Sequence, residues 1–190
     1  MARVTVPAVI GAALVAALGG IVVAGWQLSR PDDGALASEV LGRAEVSLTE
    51  TYTGPPGVCP GYTTNVPTPM RWTDADSATT MLDDDGLLLT CFGSVDEVGH
   101  LAELLAERQA HGIRASDASD AANYPLRGAP VRVTSPLGAS IRFEYVVGRS
   151  TVTEWVVERD GAIFGVGYLH DGSAPHLAEV EAVMAGWRWS

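Results

Sequence analysis

The chain has 190 residues, 47% of them hydrophobic types and 18% charged, enough for one domain with a substantial core and too few for two large ones. Its formal net charge is -11, from 23 acidic residues against 12 basic ones, all arginine. So acidic a surface repels phosphate, which argues against nucleic-acid partners and against anionic lipid headgroups. The lack of lysine beside abundant alanine, glycine and valine is the mark of a GC-rich genome, so small-residue patterns in this chain carry little information.

From Val4 to Trp26 no residue is charged. As a helix rising ~1.5 Å per residue, about 20 apolar residues span a bilayer core of ~30 Å. Arg3 and the free amine lie on one side, and Asp32 and Asp33 on the other, where Arg30 weakens the asymmetry. The positive-inside rule then predicts the N-terminus in and the bulk of the chain out. A cleaved secretory signal is the competing reading, with a weak cleavage site at Val22-Val23-Ala24; the length of the apolar run favours an uncleaved anchor. Ala8, Ala12, Ala16, Gly20 and Ala24 recur every four residues, a stripe that an alanine-rich span produces by chance. The expected organisation is a cytoplasmic tip and transmembrane anchor at 1–30, a juxtamembrane linker at 31–57 and an extracytoplasmic domain at 58–190.

Export bears on the two cysteines, because thiols outside the cytoplasm tend to oxidise. Cys59 and Cys91 are then expected as one disulfide, closing a loop of about thirty residues with roughly 3–4 kcal/mol of chain-entropy stabilisation. A catalytic cysteine would need a histidine or a helix N-terminus beside it, and a zinc site a tighter Cys/His spacing; neither pattern is present.

Along the chain, Leu36, Val40, Leu41 and Ala44 fall near helical spacing, so residues 31–45 read as a partly helical linker. Val46, Leu48 and Tyr52 alternate and suggest a short strand. The following run, rich in Pro, Gly and Thr and containing Cys59, reads as a loop with extended pieces. Asp83-Asp84-Asp85-Gly86 reads as a solvated turn, and Leu87–Phe92 as a buried strand bounded by glycines. Ser94 and Glu97 form a capping box opening a helix whose inner face is Val95, Val98, Leu101, Leu104 and Leu105. Glu103, Glu107 and Arg108 are expected to face water, and Gly112 to end the helix. From Pro130 to Leu169 the period is two, with turns at Pro136-Leu137-Gly138, Gly148-Arg149 and Asp160-Gly161. That predicts a four-stranded antiparallel meander, one face on helices and the other open to solvent. A last helix is expected from an N-cap at Ser173 to Gly186, with an extended tail, Trp187 to Ser190. Strand, helix, four strands, helix is an α+β order: an antiparallel sheet packed against two helices.

Val66-Pro67-Thr68-Pro69-Met70-Arg71-Trp72, the capped helix after the GLLLTCFGS run, the hairpin at Glu158-Arg159-Asp160-Gly161 and the last helix running into Gly186-Trp187-Arg188-Trp189-Ser190 are similar in order to the Mog1/PsbP-like fold. Over residues 58–190 the chain resembles the envelope-associated PsbP-like and LpqN-like domains of actinobacteria. It departs in having Met70-Arg71 where a glycine usually precedes the tryptophan, and in lacking a lipidated cysteine. The resemblance implies an accessory or binding module rather than an enzyme, and carries over no catalytic residue.

A search for chemistry nominates no catalytic residue, cofactor or metal site. His100 and His111 lie about 16 Å apart along a helix, too far to share a metal. His170 and His176, with Asp171, flank the turn before the last helix and read as surface residues. The aspartates at 83–85 lack calcium-loop spacing, and Glu144 and Glu154 read as solvent-face strand residues. The aromatics remain. Trp155 fits the core best, whereas Trp187 and Trp189 become an interaction surface if the tail is unpaired. The leading expectation is a non-enzymatic, single-pass, membrane-anchored domain that scaffolds a cell-envelope protein partner. The alternative is a carrier of a small ligand, lipid or metabolite, with a pocket near Trp155 between the sheet and the last helix. A cleft uniting His170, His176 and Asp171 would instead favour an enzyme.

Overall fold

A computed structural model describes residues 36–41, 46, 48–54, 57, 59–73, 76–114 and 123–190. The expected anchor at 1–30 lies outside them. Among the described residues no helix is long and apolar enough to cross a membrane.

In chain order the elements are β1 (Ser38–Val40), β2 (Glu50–Gly54), β3 (Tyr62–Val66), β4 (Arg71–Trp72), β5 (Ser77–Leu82), β6 (Asp85–Ser94), α1 (Val95–Val98), α2 (Leu101–His111), β7 (Ile113–Arg114), β8 (Asn123–Tyr124), β9 (Val131–Ser135), β10 (Gly138–Val147), β11 (Ser150–Arg159), β12 (Ala162–His170), α3 (Leu177–Ala185) and β13 (Arg188–Trp189). Eight strands make the main sheet, in the order β1-β9-β10-β11-β12-β6-β5-β4; β13-β3-β2 form a second sheet and β7-β8 a third. The architecture is mixed α+β.

The expected meander is β9 to β12, antiparallel throughout. Its last turn is tight because Asp160 and Gly161 both take positive φ, 50° and 79°, the backbone that matches the twist of a two-residue hairpin. The alternation places Trp155, Phe164, Val166 and Tyr168 on one face of the sheet, with Leu87 and Leu89 of β6 beside them. Val180, Val183 and Met184 of α3 and Tyr62 and Val66 of β3 complete that core. The opposite face carries Ile141, Phe143, Val156 and Ile163, covered by Val95, Val98, Leu101, Leu104 and Leu105. The expectation of one solvated face is therefore corrected: helices pack on both faces, and the sheet separates two apolar clusters.

Four local readings also change. The helix over 94–112 is interrupted at Gly99 (φ 85°) and restarts at Leu101, where a second acidic residue repeats the cap: Ser94 N donates to Glu97 Oε2 (3.2 Å) and His100 N to Glu103 Oε2 (3.0 Å). Residues 38–40, expected in a partly helical linker, form a strand parallel to β9, because pairing with a free sheet edge outweighs a weak helical period. The turn at 83–86 is shorter than expected: Leu82 pairs with Asp85, so only Asp83 and Asp84 bend the chain and Asp85 begins a strand. The last helix starts at Leu177 rather than after Ser173, whose N–H and hydroxyl both donate to Asp171.

Candidate functional site

Cys59 and Cys91 form a disulfide with Cα atoms 5.8 Å apart, joining the loop before β3 to β6. The staple fixes the second sheet beside an aromatic cluster. Trp187 stacks on Tyr62 at 4.2 Å, and Phe164 meets both rings edge-on or tilted. The tail is paired, Arg188 with Thr63 and Trp189 with Tyr62. Trp189 donates its indole N–H to Leu137 O (2.8 Å). Trp155 and Trp187 are buried and Trp189 is half-buried. The three tryptophans therefore do not form an exposed interaction surface: β13 turns the tail inward, and Trp155 sits at the centre of the core.

The buried charges are not where alternation placed them. Glu154 faces α2 and meets Arg108 at 2.5 Å, with both side chains about nine-tenths enclosed. The guanidinium also lies 4.7 Å from the centre of the Phe143 ring, a cation–π contact. Burial pushes the Glu154 carboxyl above its ordinary range, and Arg108 opposes that push. Neither residue faces water as expected. The missed signal is position: Arg108 follows Leu101, Leu104 and Leu105 on the inner stripe of α2, and Glu154 lies between Val152 and Val156 on the α2 side of β11.

A second polar group lies on the α3 side. Tyr168 donates its hydroxyl to buried Asp85 (2.5 Å) and accepts the His176 backbone N–H (3.0 Å). Burial, then Asp85, holds the phenol above its ordinary range. The Tyr168 ring stacks on buried His170 at 4.7 Å. Gly172 N–H donates to His170 Nδ1 (3.0 Å), so the neutral ring carries its proton on Nε2, facing Thr153 Oγ1 at 3.2 Å. The three residues whose convergence would have favoured catalysis have separate partners: His170 binds Thr153, His176 faces Asp83 and Glu179, and Asp171 binds Ser173. His170 is interior, not a surface residue, because alternation along β12 turns it to the core side with Tyr168. Among the described residues no three His, Cys, Asp or Glu side chains are placed to hold a metal.

Two features of the described surface bear on binding. A cleft of about 650 Å³ lies between the C-terminal end of α3 and the β2-β3-β13 sheet, lined by Leu48, Thr64, Asn65, Ala182, Trp187 and Arg188 among others. It has the helix-and-sheet setting expected of a carrier pocket but is not lined by Trp155. The other feature is an apolar strip on the α2 side of the main sheet. Met81, Leu88 and Leu169 stand 59%, 39% and 43% exposed. Register sets Leu88 opposite Gly167, and Gly86 between Met81 and Leu169. A Cβ added at Gly86 would lie 3.6 Å from Leu169 Cβ, and one at Gly167 would lie 3.6 Å from Leu88 Cβ. The glycines thus leave a smooth surface on which the larger side chains lie. Exposed Asp83 and Asp84 make the turn that follows Met81, with the Asp83 carboxylate directed to His176 on the α3 side.

No protein-family model matches the chain, and no curated protein matches it.

Proposed function

We propose that this protein is an extracytoplasmic binding module, held at the cell membrane by its N-terminal apolar segment, that scaffolds an envelope protein through the uncovered part of its large sheet. The observation that carries this reading is the Met81–Leu88–Leu169 strip, large apolar side chains left open beside helices that cover Ile141, Phe143, Val156 and Ile163 on the same face. Such a strip on an otherwise well-covered sheet suits a partner surface. The net charge of -11 fits a partner with a basic surface and disfavours an anionic bilayer. The disulfide supports an oxidising compartment. The resemblance to PsbP-like domains supports a non-enzymatic module, as does the separation of His170, His176 and Asp171 among different partners.

Photo-crosslinking residues at Leu88 and Leu169 in intact cells test the docking surface, with the same group at exposed Glu144 as control. One recurrent protein adduct from the strip alone, lost in a Met81→Glu variant, is the expected result. Adducts equally frequent from Glu144, or adducts to lipid only, would sink the reading, and an adduct to a second copy of this chain would replace the partner by self-association. Topology is tested separately. Cys59 and Cys91 should label with a membrane-impermeant thiol reagent only after reduction; free thiols that label only after lysis would reverse it.

A further inference from the structure

The cleft between α3 and the second sheet takes no part in the docking strip, and its lining is out of character for so acidic a chain. Among the described residues none of its lining groups is a carboxylate, although the chain carries 23 acidic residues against 12 arginines. The polar side of the cleft is made instead of an arginine, an asparagine and threonines.

The pairing explains how they gather. Thr51 is opposite Asn65, and Thr63 is opposite Arg188, so the side chains of all four project from one face of the β2-β3-β13 sheet, the face opposite to that from which Thr64 meets α3, and the cleft lies at the margin of the sheet where they and the end of α3 both line it. Thr51 donates its hydroxyl to Asn65 Oδ1 (3.3 Å), which leaves the Asn65 NH₂ group to donate outward. Trp187, a lining residue that is itself buried, has an enclosed indole N–H without a partner among the described residues. The end of α3 would ordinarily bring bare carbonyls to this place and repel an anion. Here three of them are already occupied: Thr64 donates to Val183 O (2.6 Å), Gly186 N–H to Ala182 O (3.0 Å) and Trp187 N–H to Met184 O (3.3 Å). The other wall is apolar, with Leu48, Pro136, Ala182 and Ala185. The volume, about 650 Å³, lies in the range of small-molecule sites.

We propose that this cleft binds a small amphipathic anion, a carboxylate or phosphate monoester with a short apolar body. The charged head meets Arg188 and the Asn65 amide, and the body lies against Leu48 and the alanines of α3. This inference does not depend on the docking strip, and neither test can decide the other.

The test uses the full-length chain in lipid nanodiscs and three probes of matched size: benzoate, phenyl phosphate and neutral benzyl alcohol. Affinity is read by calorimetric titration and location by amide chemical shifts. At least one anion is expected to bind at millimolar concentration or below, about tenfold tighter than benzyl alcohol, a modest charge-assisted preference. Shifts should centre on Asn65, Ala185 and Gly186. The stronger of the two anions identifies the head group as carboxylate or phosphate. Arg188→Gln alters an exposed side chain and leaves the β13 backbone pairing in place; it should erase the preference for the anion while benzyl alcohol binds as before. Ala185→Leu should weaken all three probes by filling the apolar wall. The proposal is overturned if neither anion binds, if the alcohol binds as well as the anions, if the shifts map elsewhere, or if Arg188→Gln leaves anion affinity unchanged.

Discussion

Replacing Arg108 with methionine keeps the length and apolar stem of the side chain but strands the Glu154 carboxylate beneath α2. Both members of the pair are nearly enclosed, with side-chain exposures of 12% and 10%, so solvent screens the lost attraction little. Removing one partner of a buried pair costs about 3–5 kcal/mol, whereas replacing both with apolar residues is often neutral. Against a typical total of roughly 5–15 kcal/mol, the single change takes a large share of the stability. With a urea slope of about 2 kcal/mol per molar, the midpoint should fall by roughly 2 M. The loss should also depend on pH. Burial raises the folded-state pKa of Glu154 above its unfolded value, and without Arg108 nothing opposes that push. A group raised in this way favours folding below its unfolded pKa and loses that contribution as pH rises through its folded pKa. Arg108→Met should therefore lie closest to wild type near pH 4 and fall progressively further behind towards pH 8. Urea unfolding at several pH values, followed by far-UV circular dichroism, measures both effects. Arg108→Met/Glu154→Met should recover to within about 1 kcal/mol of wild type. A single variant as stable as wild type at pH 8, or a double variant no better than the single, would refute the view that the pair is sealed and mutually dependent.

Three further outcomes are expected. Cys59→Ser/Cys91→Ser opens a loop with a sequence separation of 32 and should cost about 3–4 kcal/mol in urea unfolding; an unchanged midpoint would mean the loop is held without the bond. Gly165→Ala places a Cβ 2.5 Å from the Phe92 ring, so it should destabilise by roughly 1–3 kcal/mol, while Gly165→Ala/Phe92→Ala should recover part of that loss; equal melting temperatures for wild type and Gly165→Ala would contradict the contact. His100 is raised above its ordinary range first by its hydrogen bond to Glu158 (2.9 Å), so NMR titration should show a pKa that falls in Glu158→Gln. With the folded value raised, whatever this pair contributes is present below the unfolded pKa and is lost as pH rises through the folded one.

The meander, the inner stripe of the helix after Ser94, the Asp160-Gly161 turn and the cysteine pairing could be read from the chain itself. Each depends on a local period, a turn dipeptide or a compartment argument, and none needs knowledge of a distant neighbour. Charge placement was not legible in the same way. A glutamate two positions from a valine on either side and an arginine on a leucine stripe look like breaks in a pattern until β11 and α2 are brought together, when they become each other's partners. Asp85 read as one of three turn aspartates, because its burial depends on Tyr168, 83 positions away. The tail tryptophans were ambiguous for the same reason, since only the pairing of β13 with β3 decides which way an indole points. The exposed strip and the cleft are likewise tertiary products: Met81, Leu88 and Leu169 come from three strands, and the cleft joins a helix end to strands distant in sequence. Periodicity decides which face of an element is apolar because it is a property of neighbouring residues. What covers that face, and which polar groups meet on it, is decided by long-range contacts that local sequence does not encode.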